Sequence, residues 1–540
     1  MKVIILGGVA AGTKVAAKLK REDRSCEVTI LTKGKDISYA GCGLPYYVGG
    51  LIETREDLIV NTPESFSGLT GVEVQTEREA IGLDRAAKTV QIRDLQTGET
   101  ETHSYDKLVI ATGASPVKPP LPGLDLPGVF FMRTPDDAIA LRKALEAGEV
   151  KRAVIAGGGL IGLEVAENLK ARGVRVSVID MADQVLPGFD PEFAEYVENH
   201  LSDEGIVSFT GTALQGAIGE DHVEKVQTSR RAMKADTLIL SVGIRPNTAF
   251  LADTGLDMFK GTLKVNEYMQ TNDEDIYAVG DCAMVTNRVT GEGQWSPMGS
   301  SANHEGRVCA MHIAGKKHPY RGVFGTSVAK LPGLNVGRTG MTETGAKAAG
   351  LDAVSVVAVV DDKAHYFPGA STFIVKMTAE RGTKRFLGIQ VLGTGAVDKM
   401  VDIGVTALAA EATLDDLESV DYAYAPPFST AIHPFSHVVN VLLNKMDGML
   451  TSISPAEYRA GAAEGYRVLD TSIQPAIPGA TYIDLAKVNG PLAEAAPDEK
   501  LLLVCSKGKR AYMLQNRLKY FGYTNTLVLE GGLGFNEVEV

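Results

Sequence analysis

Two glycine-rich turns, each between an apolar strand pattern and a helix pattern, limit the folds open to this chain. The first turn, GGVAAG, follows KVIIL at residues 2–6, and the second, GGGLIG, follows RAVIA at 152–156. After each turn come a helical pattern and another short apolar strand. Two such strand–turn–helix–strand units predict an α/β fold with two parallel sheets, each arranged to bind a nucleotide.

The second turn has the regular spacing of a dinucleotide site, with Gly157, Gly159 and Gly162 in its G-x-G-x-x-G positions. Such glycines allow a tight turn, a close approach of backbone N–H groups to a pyrophosphate, and close packing of helix on strand. Asp180 ends the next strand, where a carboxylate accepts the ribose hydroxyls. No arginine follows in MADQ, so the sequence predicts NADH as the nucleotide rather than NADPH.

The first turn is less regular than the second. It keeps the outer glycines, Gly7 and Gly12, but has valine in the middle position and Thr32 where an acid is expected. Two later segments favour a nucleotide here: a strand ending at Asp281 supplies a carboxylate, and the ATG turn at 111–113 allows a further close backbone approach. Together these segments predict a second nucleotide site.

Charge and composition exclude several classes of partner. The formal net charge is −13 and no basic run dominates any segment, which argues against a nucleic-acid partner. No stretch approaches the ~20 apolar residues of a membrane span, and the apolar run in MKVIILGG is too short for a signal peptide. Five widely spread cysteines favour a reducing compartment over a disulfide framework. We therefore expect a cytoplasmic protein that binds neither nucleic acid nor membrane, and no metal site.

Six segments in order carry a resemblance to a known family: GGVAAG, SYAGCGLPYY, LVIATGASP, GGGLIGLEVAENL, SVGIRPNT and IYAVGDCA. Together they resemble the flavoprotein pyridine nucleotide–disulfide oxidoreductases, and within them the single-cysteine branch of coenzyme A disulfide and persulfide reductases. The resemblance covers roughly residues 1–445. It implies FAD at the first nucleotide site, where the corresponding cofactor-binding positions are Gly7, Gly12, Lys33, Thr112, Gly113 and Asp281.

The cysteine of the second segment, Cys42, has no partner five residues away, since position 37 is isoleucine and position 47 is tyrosine. A lone thiol near a flavin must pair with an external sulfur or become a sulfenic acid. The run CGLPYY can begin a helix with Pro45 in its first turn, and a helix N-terminus lowers the pKa of a thiol. A buried structural cysteine is the alternative.

The resemblance also implies two catalytic tyrosines and a homodimer. The segments HYFPG at 365–369 and YAYAPPFS at 422–429 match motifs whose tyrosines reach the active cysteine across a dimer interface. Position by position these are Tyr366 and Tyr424. A phenol can donate a proton or a hydrogen bond to a leaving thiolate. Aromatic core packing is the alternative for each of them.

Coenzyme A, as substrate or bound ligand, carries phosphates and needs cations around it. Lys18 and Arg21 lie three apart in the first predicted helix and therefore on one face. By resemblance, further substrate-binding candidates are Ser38, Asn303 and Arg307. Solvated surface charge is the alternative for the charged and amide side chains.

The last eighty or so residues contain a second sulfur centre. In LLLVCSKGKRAYMLQNRL, Cys505 ends a strand and begins a C-x-x-G-x-R loop before a helix. Such a loop can aim backbone N–H groups at one sulfur, and Lys507, Lys509 and Arg510 add positive charge. The segment resembles a rhodanese domain, which makes Cys505 and Arg510 catalytic candidates. The usual D-V-R of that family is DTS here, at 470–472.

These patterns predict four domains and one linker. The predicted bounds are 1–115 with 247–322 for a Rossmann-like FAD domain, 116–246 for a Rossmann-like NAD domain, 323–445 for an α+β dimerisation domain, 446–461 for a linker, and 462–540 for an α/β rhodanese-like domain.

The leading hypothesis is an NADH-driven flavoprotein reductase of coenzyme A disulfide, coenzyme A persulfide or polysulfide, with Cys505 relaying sulfane sulfur to or from Cys42. One alternative is an NADH peroxidase or oxidase that cycles Cys42 through a sulfenic acid. Enzymes of that type use a histidine in the region of the first glycine turn and its helix. This chain has no histidine before His103, which counts against the alternative. Another alternative is a sensor whose mixed disulfide reports the state of the thiol pool.

Overall fold

A computed structural model describes all 540 residues. The chain divides into two compact units, one of Met1–Val185 with Ser202–Val323 and one of Leu186–Leu201 with Phe324–Val540. The helices, in chain order, are α1 Ala10–Glu22, α2 Leu44–Gly49, α3 Pro63–Thr70, α4 Pro135–Glu146, α5 Leu160–Ala171, α6 Pro191–Asp203, α7 Gly299–Ile313, α8 Glu343–Ala348, α9 Val397–Ala409, α10 Leu414–Glu418, α11 Pro434–Met446, α12 Pro455–Arg459 and α13 Lys509–Tyr520. None of them is long and apolar enough to cross a membrane.

The first unit contains two parallel five-stranded sheets, one for each glycine turn. In spatial order the first sheet consists of Ile276–Ala278, Lys107–Ile110, Lys2–Leu6, Glu27–Leu31 and Glu73–Gln75. The second consists of Val207–Phe209, Arg175–Ile179, Arg152–Ala156, Thr237–Leu240 and Val129–Phe130. The central strands are almost wholly buried because helices cover parallel sheets on their faces, which explains their continuous apolar runs.

Smaller sheets complete the first unit and connect the two nucleotide halves. Three of them are antiparallel: Arg78–Asp84 with Thr89–Asp94 and Thr100–Ser104; Leu214–Ile218 with Lys225–Thr228 and Ala232–Lys234; and Ala114–Pro116 with Ile244–Pro246. A mixed sheet is formed by Met258–Phe259, Thr262–Lys264, Ala283–Thr286 and Gly293–Trp295. The pair Ala114–Pro116 and Ile244–Pro246 stands where the chain leaves and re-enters the first nucleotide-binding half.

The second unit is built on an antiparallel sheet and a parallel sheet of five strands each. The antiparallel sheet consists, in spatial order, of Ser327–Leu331, Leu334–Gly340, Phe386–Gly393, Thr372–Glu380 and Ala353–Asp361. The parallel sheet consists of Ser452–Ile453, Thr526–Leu529, Leu501–Val504, Arg467–Asp470 and Thr481–Tyr482. The antiparallel sheet lies within the segment 323–445, for which the sequence predicts an α+β domain.

One helix leaves the second nucleotide-binding segment and packs in the second unit. Residues 186–201 hold most of α6 and lie inside the sequence-based bounds 116–246, yet they cluster with the antiparallel sheet. A buried ion-pair cluster explains this: Lys376 Nζ lies 3.0 Å from Asp190, 2.5 Å from Glu192 and 2.8 Å from Glu343. A buried ammonium group requires such partners. Glu192 lies in α6 and Asp190 directly precedes it, so this segment supplies two of the three carboxylates.

The segment 446–461, which sequence patterning predicts to be a linker, is structured over its second half. Ser452–Ile453 is an edge strand that pairs in parallel with Thr526–Leu529. Helix α12 then begins at a capping box, in which the Ser454 hydroxyl and the Glu457 carboxylate exchange hydrogen bonds with each other's backbone N–H groups. Sequence patterning does not indicate this strand because a two-residue strand gives no periodic signal and pairs with a segment more than seventy residues away.

The parallel sheet of the second unit is attached to the antiparallel sheet by buried contacts. Glu530, at the end of the strand Thr526–Leu529, is 3% exposed. Its carboxylate accepts hydrogen bonds from Val357 N (2.9 Å), Lys445 Nζ (2.6 Å) and Ser452 Oγ (2.6 Å). Phe535 packs on Phe193 and Tyr196 of α6. These contacts fix the rhodanese-like segment against the rest of the unit.

Candidate active site

The first glycine turn is shaped to admit a nucleotide phosphate. Gly7 has a φ of +113°, and a Cβ there would overlap the carbonyl oxygen of Ala111; a Cβ on Gly12 would overlap the carbonyl oxygen of Gly7. No residue with a side chain fits at either position, so the strand, the turn and α1 come together as a dinucleotide site requires. The residues present fit FAD in this respect. Thr32 occupies the position where an acid is expected in such a site. It is buried, and its N–H donates a hydrogen bond to Gln75 O at 3.0 Å.

Around this turn the predicted contact positions are held by partners that sequence patterning does not identify. Thr112 exchanges two hydrogen bonds with Asn247, through Oγ1 at 2.8 Å and through its carbonyl oxygen at 2.9 Å. Gly113 has a φ of +65°, and its carbonyl oxygen accepts a hydrogen bond from Asn247 N. Lys33 is exposed and pairs with Glu79 at 2.7 Å.

The Gly280–Asp281 turn is fixed from two sides. Arg133 donates to the Asp281 carboxylate at 2.6 Å. The N–H of Gly280 donates to Glu305 Oε2 at 2.6 Å, and Glu305 is 1% exposed. Burial raises the pKa of Glu305 to about 8, against the effect of the Gly280 N–H. The Asp281 carboxylate of this turn can accept a hydrogen bond from a hydroxyl group of a bound flavin nucleotide.

In the second glycine turn, different glycines serve the packing of the helix on the strand and the binding of a ligand. A Cβ on Gly157 or Gly162 would overlap backbone atoms, whereas a Cβ on Gly159 would meet nothing within 4 Å. Gly159 therefore faces open space at the start of α5, where a pyrophosphate can approach. The Asp180 carboxylate accepts hydrogen bonds from Gly158 N at 2.7 Å and Ala182 N at 2.8 Å. These residues fit a nicotinamide dinucleotide.

Cys42 lies in the first unit, on the 3₁₀ turn Gly41–Gly43 that comes after the strand Glu27–Leu31 of the first sheet. The residue is exposed, while the other four cysteines of the chain are buried. Helix α2 begins two residues later at Leu44, with Pro45 in its first turn as the sequence suggests. The accessible thiol distinguishes Cys42 from a structural cysteine.

The electrostatic surroundings of Cys42 differ from the expectation of a lowered pKa. Desolvation raises the pKa of the thiol, the nearby carboxylates of Glu164 and Asp281 raise it further, and Arg133 opposes them. Glu164 lies on α5, and its Oε1 accepts a hydrogen bond from Tyr46 Oη at 3.3 Å. Burial raises the pKa of Glu164 itself to about 7. Glu164 and Asp281 thus act against the lowered pKa expected of a thiol at a helix N-terminus.

The predicted substrate-binding residues of the first unit lie near its glycine turn and on two adjoining helices. Ser38 has a φ of 47° and its N–H donates to Gly8 O at 2.8 Å, which places it beside the first glycine turn. Helices α1 and α7 pack directly on each other, since a Cβ on Gly306 would lie 2.8 Å from the carbonyl oxygen of Ala11. Of the other candidates, α1 carries Lys18 and Arg21, and α7 carries Asn303 and Arg307.

These four helical candidates are not equally available to a ligand. Arg21, Asn303 and Arg307 are exposed, whereas Lys18 is mostly buried and forms an ion pair with Glu22. The Asn303 amide donates to Gly299 O at 2.8 Å. Two arginines and an amide can thus contact an anionic ligand directly.

In the second unit the two predicted tyrosines come together. Tyr366 and Tyr424 are 67% and 51% exposed, so neither is packed in the core. A hydrogen bond between their side chains raises the pKa of Tyr366. This arrangement argues against aromatic core packing as the reason for either residue.

The rhodanese-like loop begins at Cys505, which is 2% exposed and directly follows the strand Leu501–Val504. The Cys505 carbonyl oxygen accepts a hydrogen bond from Leu533 N at 3.0 Å. Arg510, at the start of α13, donates through Nε to Thr471 O at 2.7 Å. Across the chain, no group of three or more His, Cys, Asp or Glu side chains is arranged to hold a metal ion.

Sequence patterning missed Arg133, Glu164 and Asn247, although each contacts a predicted site residue or shifts its pKa, and it missed Glu305, which binds the residue before Asp281. Arg133 and Asn247 stand in loops with no periodic pattern. Glu164 carried a usable signal, because it is an acidic residue within the apolar run LIGLEVA directly after the glycine turn.

Comparison with known protein families covers most of the chain. Residues 1–304 match the family described as pyridine nucleotide-disulphide oxidoreductase, and residues 328–434 match its dimerisation domain. Residues 454–534 match the rhodanese-like domain.

Individual relatives match over most or all of their length. An NADH oxidase of Methanocaldococcus jannaschii is 35% identical over 83% of this chain and 99% of its own length. A coenzyme A-dependent NAD(P)H sulfur oxidoreductase of Pyrococcus abyssi is 36% identical over 82% of this chain and 98% of its own. The structure of an NAD-dependent persulfide reductase from A. fulgidus superimposes with a TM-score of 0.94 at 36% identity, over 99% of this chain and 100% of that one.

These matches agree with the two nucleotide turns, the antiparallel domain and the Cys505 loop described above. The chain is therefore a member of the pyridine nucleotide–disulphide oxidoreductases, FAD-dependent enzymes that use a nicotinamide nucleotide, and it carries a C-terminal rhodanese-like domain.

Proposed function

We propose that this protein is an NADH-dependent reductase of coenzyme A disulfide, coenzyme A persulfide or polysulfide that works through Cys42, with Cys505 relaying sulfane sulfur. The observation that carries the proposal is the pairing of two different thiols in one chain. Cys42 is exposed and has no cysteine partner, and Cys505 begins a cationic rhodanese-type loop. The similarity to a persulfide reductase along the whole chain supports it.

For the persulfide the reaction is NADH + H⁺ + CoA–S–SH → NAD⁺ + CoA–SH + H₂S. For the disulfide it is NADH + H⁺ + CoA–S–S–CoA → NAD⁺ + 2 CoA–SH. FAD and NADH, when bound, supply the two electrons that these reductions need. The residues of the protein bind the substrate, hold the sulfur that is attacked, and move protons.

Cys42 is the nucleophile in this proposal. Its thiolate attacks one sulfur of the substrate, forms a mixed disulfide or a persulfide, and releases a thiolate or hydrosulfide. The released anion needs a proton, and a phenol can donate one. We assign this role to Tyr366 and Tyr424 of the other subunit in a homodimer, because both are exposed and hydrogen-bonded to each other.

Coenzyme A would bind along α1 and α7. The exposed Arg21 and Arg307 offer two cations from adjoining helices for its phosphates, and Asn303 offers an amide. Ser38 lies beside the first glycine turn, closer in sequence to Cys42. Lys18 belongs to this set if a phosphate displaces Glu22 from its ion pair.

The nucleotide that reduces the enzyme would be NADH. Asp180 directly follows the strand Arg175–Ile179, and its carboxylate accepts hydrogen bonds from Gly158 N in the second glycine turn and from Ala182 N. A carboxylate there accepts ribose hydroxyls and repels the 2′-phosphate of NADPH.

The first experiment is anaerobic NADH oxidation by the purified enzyme with coenzyme A persulfide, with sulfide measured in parallel. We expect NADH loss and sulfide release in equal amounts. Cys42→Ser should abolish both while FAD stays bound. Cys505→Ser should impair polysulfide use and leave coenzyme A disulfide reduction largely intact. Normal turnover of every sulfur substrate by the Cys42 variant would contradict the mechanism.

A second candidate is an NADH oxidase or peroxidase, favoured by the relative that carries the name NADH oxidase. In that case Cys42 would cycle through a sulfenic acid. Oxygen or peroxide would then sustain NADH oxidation at a rate above that of every sulfur substrate, and Cys505→Ser would have no effect on any of the activities.

A further inference from the structure

The loop that carries Cys505 is enclosed partly by the antiparallel sheet of the dimerisation domain. A Cβ on Gly531 would lie 3.4 Å from Val357 Cγ1, and a Cβ on Gly534 would lie 3.3 Å from both Cγ atoms of Val359. Both valines belong to the edge strand Ala353–Asp361. The turn at 531–534 is hydrogen-bonded to the Cys505 loop, because Leu533 N donates to Cys505 O and Gly534 N donates to Ser506 O. The turn that is hydrogen-bonded to the Cys505 loop is therefore packed against the antiparallel sheet.

The end of that strand also contributes a charge. Asp361 Oδ1 lies 2.5 Å from Nζ of Lys507, two residues after Cys505, and both side chains are partly exposed. Helix α11 adds His437, whose pKa is lowered by burial and by Lys509 and raised by Asp361. Asp361 thus lies close to a lysine of the Cys505 loop and acts, together with Lys509, on a histidine of α11.

Two other parts of the site, Arg510 and the segment Asp470–Ser472, are held by hydrogen bonds within the rhodanese-like segment. Arg510 is anchored through Nε to the Thr471 carbonyl oxygen. The segment Asp470–Ser472 has no arginine of its own, and the Asp470 carboxylate accepts the N–H groups of Ser472, Ala476 and Ile477. Lys507 is consequently the cation whose position the dimerisation domain controls.

We propose that Asp361 sets the charge of the sulfur donor that Cys505 accepts, by pairing with Lys507 and so favouring singly charged sulfane donors over doubly charged ones. This inference rests on the proposed relay function of Cys505. Asp361 is a positioning residue and touches no reacting atom. The favoured class comprises persulfides and thiosulfonates, in which the group that contains the S–S bond carries one negative charge, and the disfavoured class is represented by thiosulfate, in which that group carries two.

The transfer itself needs no oxidant or reductant. With thiosulfate the Cys505 thiolate attacks the sulfane sulfur, the S–S bond of the donor breaks, and sulfite leaves: Cys–S⁻ + S₂O₃²⁻ → Cys–S–S⁻ + SO₃²⁻. With methanethiosulfonate the same step releases methanesulfinate: Cys–S⁻ + CH₃SO₂S⁻ → Cys–S–S⁻ + CH₃SO₂⁻. The two donors have similar shapes and differ by one charge, so their comparison isolates the electrostatic effect.

The test measures kcat/KM for both donors with the full-length enzyme and cyanide as acceptor. Asp361→Asn should raise the ratio of the thiosulfate value to the methanethiosulfonate value about fivefold at low ionic strength, the effect expected of one partly exposed charge. At ~1 M salt, where the Debye length is ~3 Å, the ratio should return toward that of the wild type. Asp361→Glu, which keeps the charge, should retain the wild-type ratio.

The matched control is Asp352→Asn, at the other end of the same strand. Asp352 forms an exposed ion pair with Arg381 at 3.3 Å, and its loss should leave the ratio unchanged. A merely structural role of Asp361 would lower both values in parallel, independently of salt, and would overturn the inference. An unchanged ratio in Asp361→Asn would do the same.

Cys505→Ser separates this inference from the function on which it rests. Loss of sulfur transfer from both donors is the expected result. If that variant still transferred sulfur at the wild-type rate, both the relay and the role of Asp361 would be overturned. If it lost transfer while Asp361→Asn behaved like the wild type, the relay would stand and only the role of Asp361 would fall.

Discussion

The reactivity of Cys42 depends on two carboxylates brought from elsewhere in the first unit. Glu164 and Asp281 raise the pKa of the thiol, with Arg133 acting in the opposite direction. Asp281 is itself bound to Arg133 at 2.6 Å, so part of its effect is offset. Glu164 has only the hydrogen bond from Tyr46 to balance its burial. Glu164 is therefore the neighbour whose removal should change Cys42 most.

Replacing Glu164 by glutamine should lower the pKa of Cys42. In a Cys505→Ser background, the rate of alkylation by iodoacetamide as a function of pH reports this, because the thiolate is the reactive form and the three other remaining cysteines are buried. Any mixed disulfide is reduced first. Glu149→Gln, at an exposed position, should give the wild-type profile. A Glu164→Gln profile that coincides with the wild type would show that this carboxylate does not act on the thiol.

Glu164 also predicts a pH dependence of stability. Its pKa is about 7 in the folded protein, against an ordinary value of 4.5. Below pH ~4.5 the group is protonated in both states. Between the two values only the unfolded state ionises, so the free energy of unfolding falls by about 3 kcal/mol as pH rises to ~7. Glu164→Gln should lack this loss, and urea unfolding midpoints at pH 5 and pH 8 would reveal it. An equal drop in both proteins would contradict the assignment.

At the scale of elements, the second glycine turn separates what the fold needs from what the ligand needs. Gly162 has no room for a Cβ, whereas Gly159 has a φ of −78° that alanine adopts readily and open space around it. Gly162→Ala should therefore destabilise the strand–helix packing, with a loss of about 1–3 kcal/mol. Gly159→Ala should leave the unfolding midpoint unchanged and weaken NADH binding, measured by titration. Equal effects of both variants on stability would contradict this division.

The buried cluster around Lys376 fixes α6 to the antiparallel sheet. The carboxylates of Asp190, Glu192 and Glu343 surround its ammonium group. Despite the burial of Glu343, the charge of Lys376 and hydrogen bonds from Lys347 and Ser355 lower the pKa of Glu343 to about 2. Lys376→Met would leave three carboxylates without their cation and should cost about 3–5 kcal/mol. Chemical denaturation measures the loss. Lys347→Met, which removes only an exposed ion pair with Glu343, should cost less than about 1 kcal/mol.

Local patterns in the sequence predict most of the elements but not every assignment of an element to a unit. The apolar runs at 2–6 and 152–156 become central strands because burial on both faces requires apolar residues throughout. Helix α6 has an ordinary amphipathic pattern that indicates a helix but not its partner. That partner is decided by Lys376, which is more than 180 residues away in the chain. Pair contacts of this kind leave no periodic trace.

At the scale of the whole molecule, the same limit applies to the candidate site. The glycines, Asp180, Asp281 and both candidate cysteines could be found from local motifs. The residues that tune them could not, because they come from distant segments: Arg133 reaches Asp281 across 148 positions, and Lys507 reaches Asp361 across 146. Motifs identify which atoms take part, and tertiary contacts set their charge and position.

The surface around Tyr366 and Tyr424 indicates what completes the site. Phe428 and Ile432 in the same segment are 73% and 58% exposed, an unusual amount of apolar surface for neighbouring residues. The segment belongs to the region that matches the family's dimerisation domain. A second copy of the chain would cover this surface and would carry the tyrosines toward a Cys42 that is not their own.

Complementation between two inactive variants tests this arrangement. Cys42→Ser keeps its tyrosines, and the double variant Tyr366→Phe with Tyr424→Phe keeps its cysteine. If the tyrosines act across the interface, a mixed dimer has one intact site. Random exchange of equal amounts should then restore about one quarter of wild-type persulfide reduction, since half of the dimers are mixed and each has one working site of two. If cysteine and tyrosines of the same chain form the site, every site in the mixture lacks one of them, and exchange would restore nothing.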